Sequence, residues 1–268
     1  MERSSSAALL LCLAVVLAGC SAVPGVGGSD GEPYTAAGEP LNTSDLRADH
    51  TENVEAAESL TYSLNATSAV STGENESFRS NTVLDARVDV AADVARYDAR
   101  TNGTVFGNAQ SSNVSVYVAD GTAYLRQSAG NETQYQTTEA NDTTSIVGAA
   151  TLEDQWPLLS GVNWTQDGTV DRDGETLTRY TANGSESLDL SALGGAQGGV
   201  PDDAVTSFDA TMLVTSDGTV RSVTYEYALD LDGRTQNARV TAGVSGLNGT
   251  TVEEPSWLDA ATNGSTAA

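Results

Sequence analysis

Apolar residues recur at every second position in stretch after stretch of this chain. Tyr62, Leu64, Ala66 and Val70 alternate with Ser63, Asn65 and Thr67, and Leu84, Ala86, Val88 and Val90 alternate with Asp85, Arg87 and Asp89. Val114, Val116 and Val118 share a parity. Val223, Tyr225, Tyr227, Leu229 and Leu231 oppose Thr224, Glu226 and Asp230, and Ala238, Val240, Ala242 and Val244 oppose Arg239, Thr241 and Ser245. Successive side chains of a strand point to opposite faces, so the pattern predicts half-buried antiparallel strands with one apolar and one polar face. Asn102-Gly103, Asp120-Gly121, Asp173-Gly174, Asp217-Gly218 and Asp232-Gly233 sit between such runs. Asx-Gly pairs supply the positive φ of tight hairpins, so neighbours in sequence are expected to be neighbours in a meander. No strand-helix-strand rhythm of a parallel sheet is present.

Two segments break this period. Ahead of the strands, Leu46, His50, Val54 and Ala57 recur at spacings of four and three, one face of a helix. Ser44 is the expected N-cap and Asp45 follows it in the first turn. In the middle of the chain, residues 141–161 lose the alternation. Ile146, Val147, Ala150, Leu152, Trp156, Leu158 and Leu159 predict one or two short helices broken near Pro157. Residues 188–201 are Gly-rich and read as a mobile loop, and the small polar residues 261–268 read as a disordered tail.

The N-terminus carries an export signal. Arg3 precedes an apolar run from Ala7 to Ala18, too short for a span of about 20 residues, which ends in Leu17-Ala18-Gly19-Cys20. Small residues directly ahead of a cysteine are similar to the prokaryotic lipobox, in which the thiol is lipidated after cleavage. The expected organisation is a signal peptide over 1–19, a lipidated Cys20 with a flexible tether over 20–43, a β domain over 44–260 and the tail. The competing reading is an ordinary signal peptide with an incidental cysteine. Cys12 would leave with the signal, so the mature chain has one thiol and no disulfide. The expected location is the extracytoplasmic face of the cell membrane, held there by the lipid.

Charge narrows the partners. The formal net charge is -25, from 37 acidic residues against 12 basic ones, and every basic residue is Arg. Such a chain repels nucleic acid and anionic headgroups alike, so no nucleic-acid partner is expected. Its self-repulsion acts over roughly 10 Å at 0.1 M salt and over about 3 Å in molar salt. An acidic, Lys-free composition therefore points to a salt-saturated solvent, and to a haloarchaeal source.

Catalytic patterns are missing. His50 is the one His in the sequence, which excludes HExxH and multi-histidine metal sites. No Gly-x-Ser-x-Gly elbow or phosphate-binding loop occurs. Asp171-x-Asp173-Gly174 and Asp230-x-Asp232-Gly233 share part of a calcium-loop pattern but lack its first ligand and its closing Glu, so they are read as hairpin turns. The expectation is a protein with no metal, no cofactor and no enzymatic activity.

Trp156, Leu158, Leu159 and Trp164 concentrate at the helical insert and its exit. They either line a ligand cavity between sheet and helices or fill the core, and both readings stand on the sequence. Asn-x-Ser/Thr sequons are dense, and Asn65 and Asn113 fall on the polar parity of their strands, where a glycan would face solvent.

The order lipobox, tether, helix, strands, helical insert and strands resembles haloarchaeal lipoproteins of uncharacterised function with a LolA/LppX-like outline. The local features are His50 to Leu64, the Tyr117-to-Leu125 hairpin, and the close from Asn248 to Trp257. The resemblance implies a mainly β (α+β) domain: a strongly curved antiparallel sheet, or half-barrel, with the N-terminal helix and the insert covering its concave face. It also implies a cavity for acyl or isoprenoid chains. A non-catalytic binding module for an apolar ligand is the first expectation. A structural or interaction protein of the cell envelope, touching other envelope proteins and no small ligand, is the second.

The charge argument makes a direct prediction. The melting temperature followed by circular dichroism should rise steeply as KCl is raised from 0.1 M to the molar range. A flat response would remove the inference of a salt-adapted chain.

Overall fold

The computed structural model describes residues 34, 40–72, 75–130, 132–140, 144–189, 204–231 and 233–263. Helix α1 (Thr43–Glu55) leads into β1 (Ser59–Thr72), β2 (Asn75–Asp89), β3 (Val94–Val105), β4 (Asn108–Ala119), β5 (Thr122–Ala129) and β6 (Glu132–Glu139). Helices α2 (Thr144–Ala150) and α3 (Trp156–Ser160) follow. Then come β7 (Thr165–Arg172), β8 (Glu175–Asn183), β9 (Val205–Val214), β10 (Val220–Leu231), β11 (Arg234–Ser245) and a short α4 (Leu258–Thr262). All the strands belong to one curved, open, antiparallel sheet of 11 strands in the order β6-β5-β4-β3-β2-β1-β11-β10-β9-β8-β7. Two meanders are joined by the pairing of β1 with β11, from Thr61↔Ser245 to Thr72↔Arg234. The two outermost strands, β6 and β7, are consecutive in the chain, and α2 and α3 lie between them.

The apolar parity of the strands forms one face. Leu60, Tyr62, Ala86, Val88, Ala95, Tyr180, Phe208, Met212, Val223, Ala242 and Val244 are buried there, together with Leu46 and Val54 of α1 and Ile146, Leu152, Trp156 and Leu159 of the insert. Burying such side chains contributes roughly 1.5–3 kcal/mol each, and this shared cluster holds helices and sheet together.

Several local expectations shift. The N-cap of α1 is Asn42, whose Oδ1 accepts from the Asp45 N–H at 3.2 Å, so the helix starts before Ser44. The β3–β4 hairpin turns at Phe106-Gly107 (φ 48° and 79°), not at Asn102-Gly103. Asn102 and Gly103 are paired on both sides inside β3, with Asn81 and Ser80 of β2 and with Ser111 and Gln110 of β4. Gly103 serves close approach instead: a Cβ there would lie 2.4 Å from the Arg79 carbonyl oxygen. Asp120-Gly121 and Asp173-Gly174 do form two-residue turns with positive φ at both positions. The break between α2 and α3 falls at Leu152 (φ 59°), and Pro157 sits in the first turn of α3, where its missing N–H costs nothing. The signal peptide, Cys20, most of the tether and residues 190–203 lie outside the described residues. Within the tether, Tyr34 donates its hydroxyl to Asp49 of α1 at 2.6 Å. At the other end, α4 runs to Thr262 and buries Ala261.

His50 is a structural joint. Its Nε2 faces the Ala150 carbonyl oxygen at 3.0 Å, and its Nδ1 accepts from the Val220 N–H at 3.2 Å. Those roles require the neutral ring with its proton on Nε2. The ring is fully buried, lies edge-on to Trp156 and links α1, α2 and the start of β10. Burial pushes its pKa down from 6.5 to about 4, with the Ala150 carbonyl opposing the shift.

Two predictions come from this core. Between pH 6.5 and 4 the unfolded chain binds the His50 proton and the folded chain does not. Stability should therefore be complete above pH 6.5 and fall by up to about 3 kcal/mol as pH drops through that window, at roughly 1.4 kcal/mol per pKa unit. In urea titrations read against pH, His50→Leu should abolish this slope while costing about 1–3 kcal/mol at pH 7, because the Val220 N–H loses its acceptor. Trp156→Phe should cost about 2–4 kcal/mol in the same assay, through lost volume and an orphaned Thr151 carbonyl.

Candidate functional site

Trp156 and Leu159 of α3 are fully buried, Trp164 is 3% exposed and Leu158 9% exposed. Both indoles turn their N–H inward to the backbone. Trp156 donates to the Thr151 carbonyl at 2.8 Å, and Trp164 donates to the Leu159 carbonyl at 2.9 Å. At these positions the space between helices and sheet is occupied by the protein's own side chains. A Trp with its polar atom already satisfied in this way packs like any other core residue.

The apolar face extends beyond the region under the helices. Leu64 on β1, Leu84 on β2, Tyr97 on β3, and Tyr225, Tyr227 and Leu231 on β10 pack against the core cluster yet stay partly exposed. The phenols form a group. Burial is the main cause of the raised pKa of Tyr225, and the adjacent Tyr227 and Tyr62 add to it. Burial, with Asp154 nearby, pushes Tyr62 up to about 12, and burial also raises Tyr97 and Tyr227. All four therefore remain protonated hydroxyls at neutral pH, set among aliphatic neighbours. Mostly apolar walls with a few polar groups are the usual lining of a small-molecule site. Sequence reading saw Tyr62, Tyr225 and Tyr227 only as strand alternation and did not single out Tyr97. The available signal was the concentration of Tyr on the inward parity, where Val and Leu would suffice for packing.

The opposite face of the sheet is polar and carries two further features. At one end, the segment after β11 crosses it. Asn248 accepts from the Glu58 N–H at 2.8 Å, the Thr250 N–H donates to Ser59 Oγ at 3.0 Å, and Thr250 and Thr61 share a hydroxyl contact at 2.9 Å. Beyond them, Trp257 and Ala261 are buried against Tyr117, Tyr124 and Tyr135. Next to this cover, β2 to β5 line an open groove of about 620 Å³. Asp85, Asp98, Arg100, Asn113, Ser115 and Arg126 are among its walls. Asn113, one of the two candidate glycosylation sites, accepts from Arg100 Nε at 3.0 Å. The other, Asn65, accepts from Asn81 Nδ2 at 2.9 Å. Both asparagines are exposed on this polar face. Cys20 is outside the described residues. Among the described residues, no group of three or more His, Cys, Asp or Glu is placed to hold a metal ion, and no helix is long and apolar enough to cross a membrane.

Solved structures similar to this chain include three bacterial proteins. The ywiB protein of Bacillus subtilis is 10% identical, over 70% of this chain and 94% of its own, with a TM-score of 0.16. A beta-barrel-like protein of the DUF1849 family from Brucella abortus is 8% identical, over 71% and 100%, with a TM-score of 0.24. The LolA superfamily protein NE2245 of Nitrosomonas europaea is 6% identical, over 79% and 94%, with a TM-score of 0.23. No role is carried over from similarities of this degree. No protein of curated function matches the chain significantly. Residues 5–261 match the family DUF7537, described as a family of unknown function, and this chain belongs to that family.

Proposed function

We propose that this protein is a non-catalytic binding module for an apolar or amphipathic chain, held at the outer face of the cell membrane by a lipid on Cys20. The observation that carries the reading is the partly exposed stretch of the apolar face, from Leu64 and Leu84 through Tyr97 to Tyr225 and Tyr227. Apolar surface left in contact with water costs about 25 cal/mol per Å², so a hydrocarbon chain laid along this stretch would be stabilised by the area it covers. The phenol hydroxyls of Tyr62, Tyr225 and Tyr227 would meet a polar group on such a chain, or the water beside it. This places the ligand beside the packed insert and leaves Trp156, Leu158, Leu159 and Trp164 as the floor that holds sheet and helices apart. The strong negative charge keeps the domain itself off anionic headgroups, so the anchor supplies proximity to lipid while the sheet supplies selectivity.

The packing of the insert favours a second reading. With the space under α1 to α3 filled, a structural or interaction role in the cell envelope needs no small ligand. Crosslinking in intact cells separates the two, because only that role calls for a stoichiometric protein partner.

The full chain, purified in molar salt from its membrane, should carry an extractable lipid at near-stoichiometric amount by mass spectrometry of an organic extract. Leu84→Asn combined with Tyr225→Ser should lower the retained lipid, and the binding of the fluorescent probe N-phenyl-1-naphthylamine, by at least tenfold. Trp156→Phe should leave probe binding within threefold at temperatures where it is folded. A lipid-free wild-type protein that also fails to bind the probe would sink the proposal.

A further inference from the structure

We infer that the groove on the polar face of β2 to β5 is a binding site for an acidic saccharide. It is a separate site from the apolar stretch on the other face. In a chain of net charge -25 with 12 basic residues, the arginines are unevenly placed. Arg79 and Arg87 of β2, Arg96 and Arg100 of β3, and Arg126 of β5 all share the parity of this face. Asp85, Asp89 and Asp98 share it with them, so this side of β2 to β5 carries five cations against three anions, and the groove itself two of each, while the molecule as a whole is strongly acidic.

Arg126 is the distinctive member. It stands between Ser115 of β4 and Tyr135 of β6, and its Nε is buried with no hydrogen-bond partner among the described residues. A buried guanidinium nitrogen left unpaired is costly, and a carboxylate or sulfate ester in the groove would draw the Arg126 side chain toward it and give the guanidinium a partner. Arg100 is already oriented by Asn113, and Arg96 is paired with Asp98 at 2.9 Å. Of the two arginines that line the groove, Arg126 is thus the one with an unsatisfied nitrogen.

The remaining lining decides the class of anion. Asn81, Asn102, Asn113, Ser115 and Ser128 offer amides and hydroxyls that both donate and accept, as a polyhydroxylated ring requires. Asp85 and Asp98 accept hydroxyl hydrogens and would repel a doubly charged phosphate. The volume of about 620 Å³ fits an oligosaccharide segment better than a lone ion. Two sources share this chemistry. One is a glycan on Asn113 itself, whose Oδ1 is held by Arg100 while Nδ2 stays available. The other is a saccharide on a neighbouring envelope molecule.

The test is calorimetric titration of the full chain, in molar KCl, with a hyaluronan tetrasaccharide and with its carboxyl-reduced counterpart. The wild type should bind the acidic sugar at least tenfold more tightly than the reduced one. Arg126→Gln should lose at least tenfold, and Arg239→Gln, on the same face but outside the groove, should change nothing. Should Arg126→Gln fail to fold, the comparison of acidic with reduced sugar on the unmodified protein carries the test. If only Asn113→Gln binds the sugar, and glycopeptide mass spectrometry finds an acidic glycan on Asn113 of the wild type, the site stands and its occupant is the protein's own glycan. No binding to either protein, or equal binding of the reduced sugar, overturns the inference.

Discussion

Everything in this molecule depends on β1 pairing with β11. The ladder runs from Thr61↔Ser245 to Thr72↔Arg234 and joins strands at opposite ends of the chain. Without it the chain is two separate meanders, β1–β6 and β7–β11, each with an extra open edge and half an apolar face. With it, the sheet becomes continuous and a single cluster can draw on both halves. Hairpins between sequence neighbours close short loops at small entropic cost, whereas this ladder must gather the whole chain first. The segment after β11 reinforces it, since Asn248 and Thr250 bond to Glu58, Ser59 and Thr61 at the start of β1.

The helical insert follows from the same topology. The sheet's outermost strands are consecutive in sequence, so the connection between them links one edge to the other. Its described residues, 144–164, pack on part of the apolar face and leave Leu64, Leu84, Tyr97, Tyr225 and Tyr227 partly exposed. His50 ties that crossing to the rest by accepting from Val220 at the start of β10 and facing the carbonyl of Ala150 at the end of α2. A neutral, buried imidazole does both at once, one nitrogen donating and the other accepting. The single His of the sequence is therefore a two-sided hydrogen-bonding joint.

The two faces of the sheet solve different solvent problems. The inward face is aliphatic and aromatic and grows more stable in strong salt. The outward face carries Asn, Ser, Thr and Asp, with five arginines on β2, β3 and β5 and others, such as Arg239 and Arg179, paired singly with acids elsewhere. Exposed ion pairs such as Arg239–Glu226 add little stability, and screening weakens them further. Arg100 and Arg126, which line the groove, keep short-range hydrogen bonding even where long-range fields vanish.

The existence of the strands, their faces, the antiparallel meander and the buried side of α1 were legible in the sequence because all of these are local. Period two and period 3.6 are written in neighbouring residues, and Asp120-Gly121 and Asp173-Gly174 turn where their dihedral preferences dictate. Asn102-Gly103 misled because the same glycine that suits a turn also suits a close approach, and the partner strand chooses between them. Trp156, Leu158, Leu159 and Trp164 were legible as a group under the sheet, but whether they enclosed space or occupied it depends on how the crossing chain is packed. The partial exposure of the tyrosines, the groove and the unpaired Nε of Arg126 were not legible. The first depends on the register of β1 against β11 and on where the insert packs; the other two depend on side-chain packing across the neighbouring strands β2 to β6, which alternation does not specify. A sequence determines directly only what its nearest neighbours enforce; which surfaces stay uncovered is decided when the far ends of the chain meet.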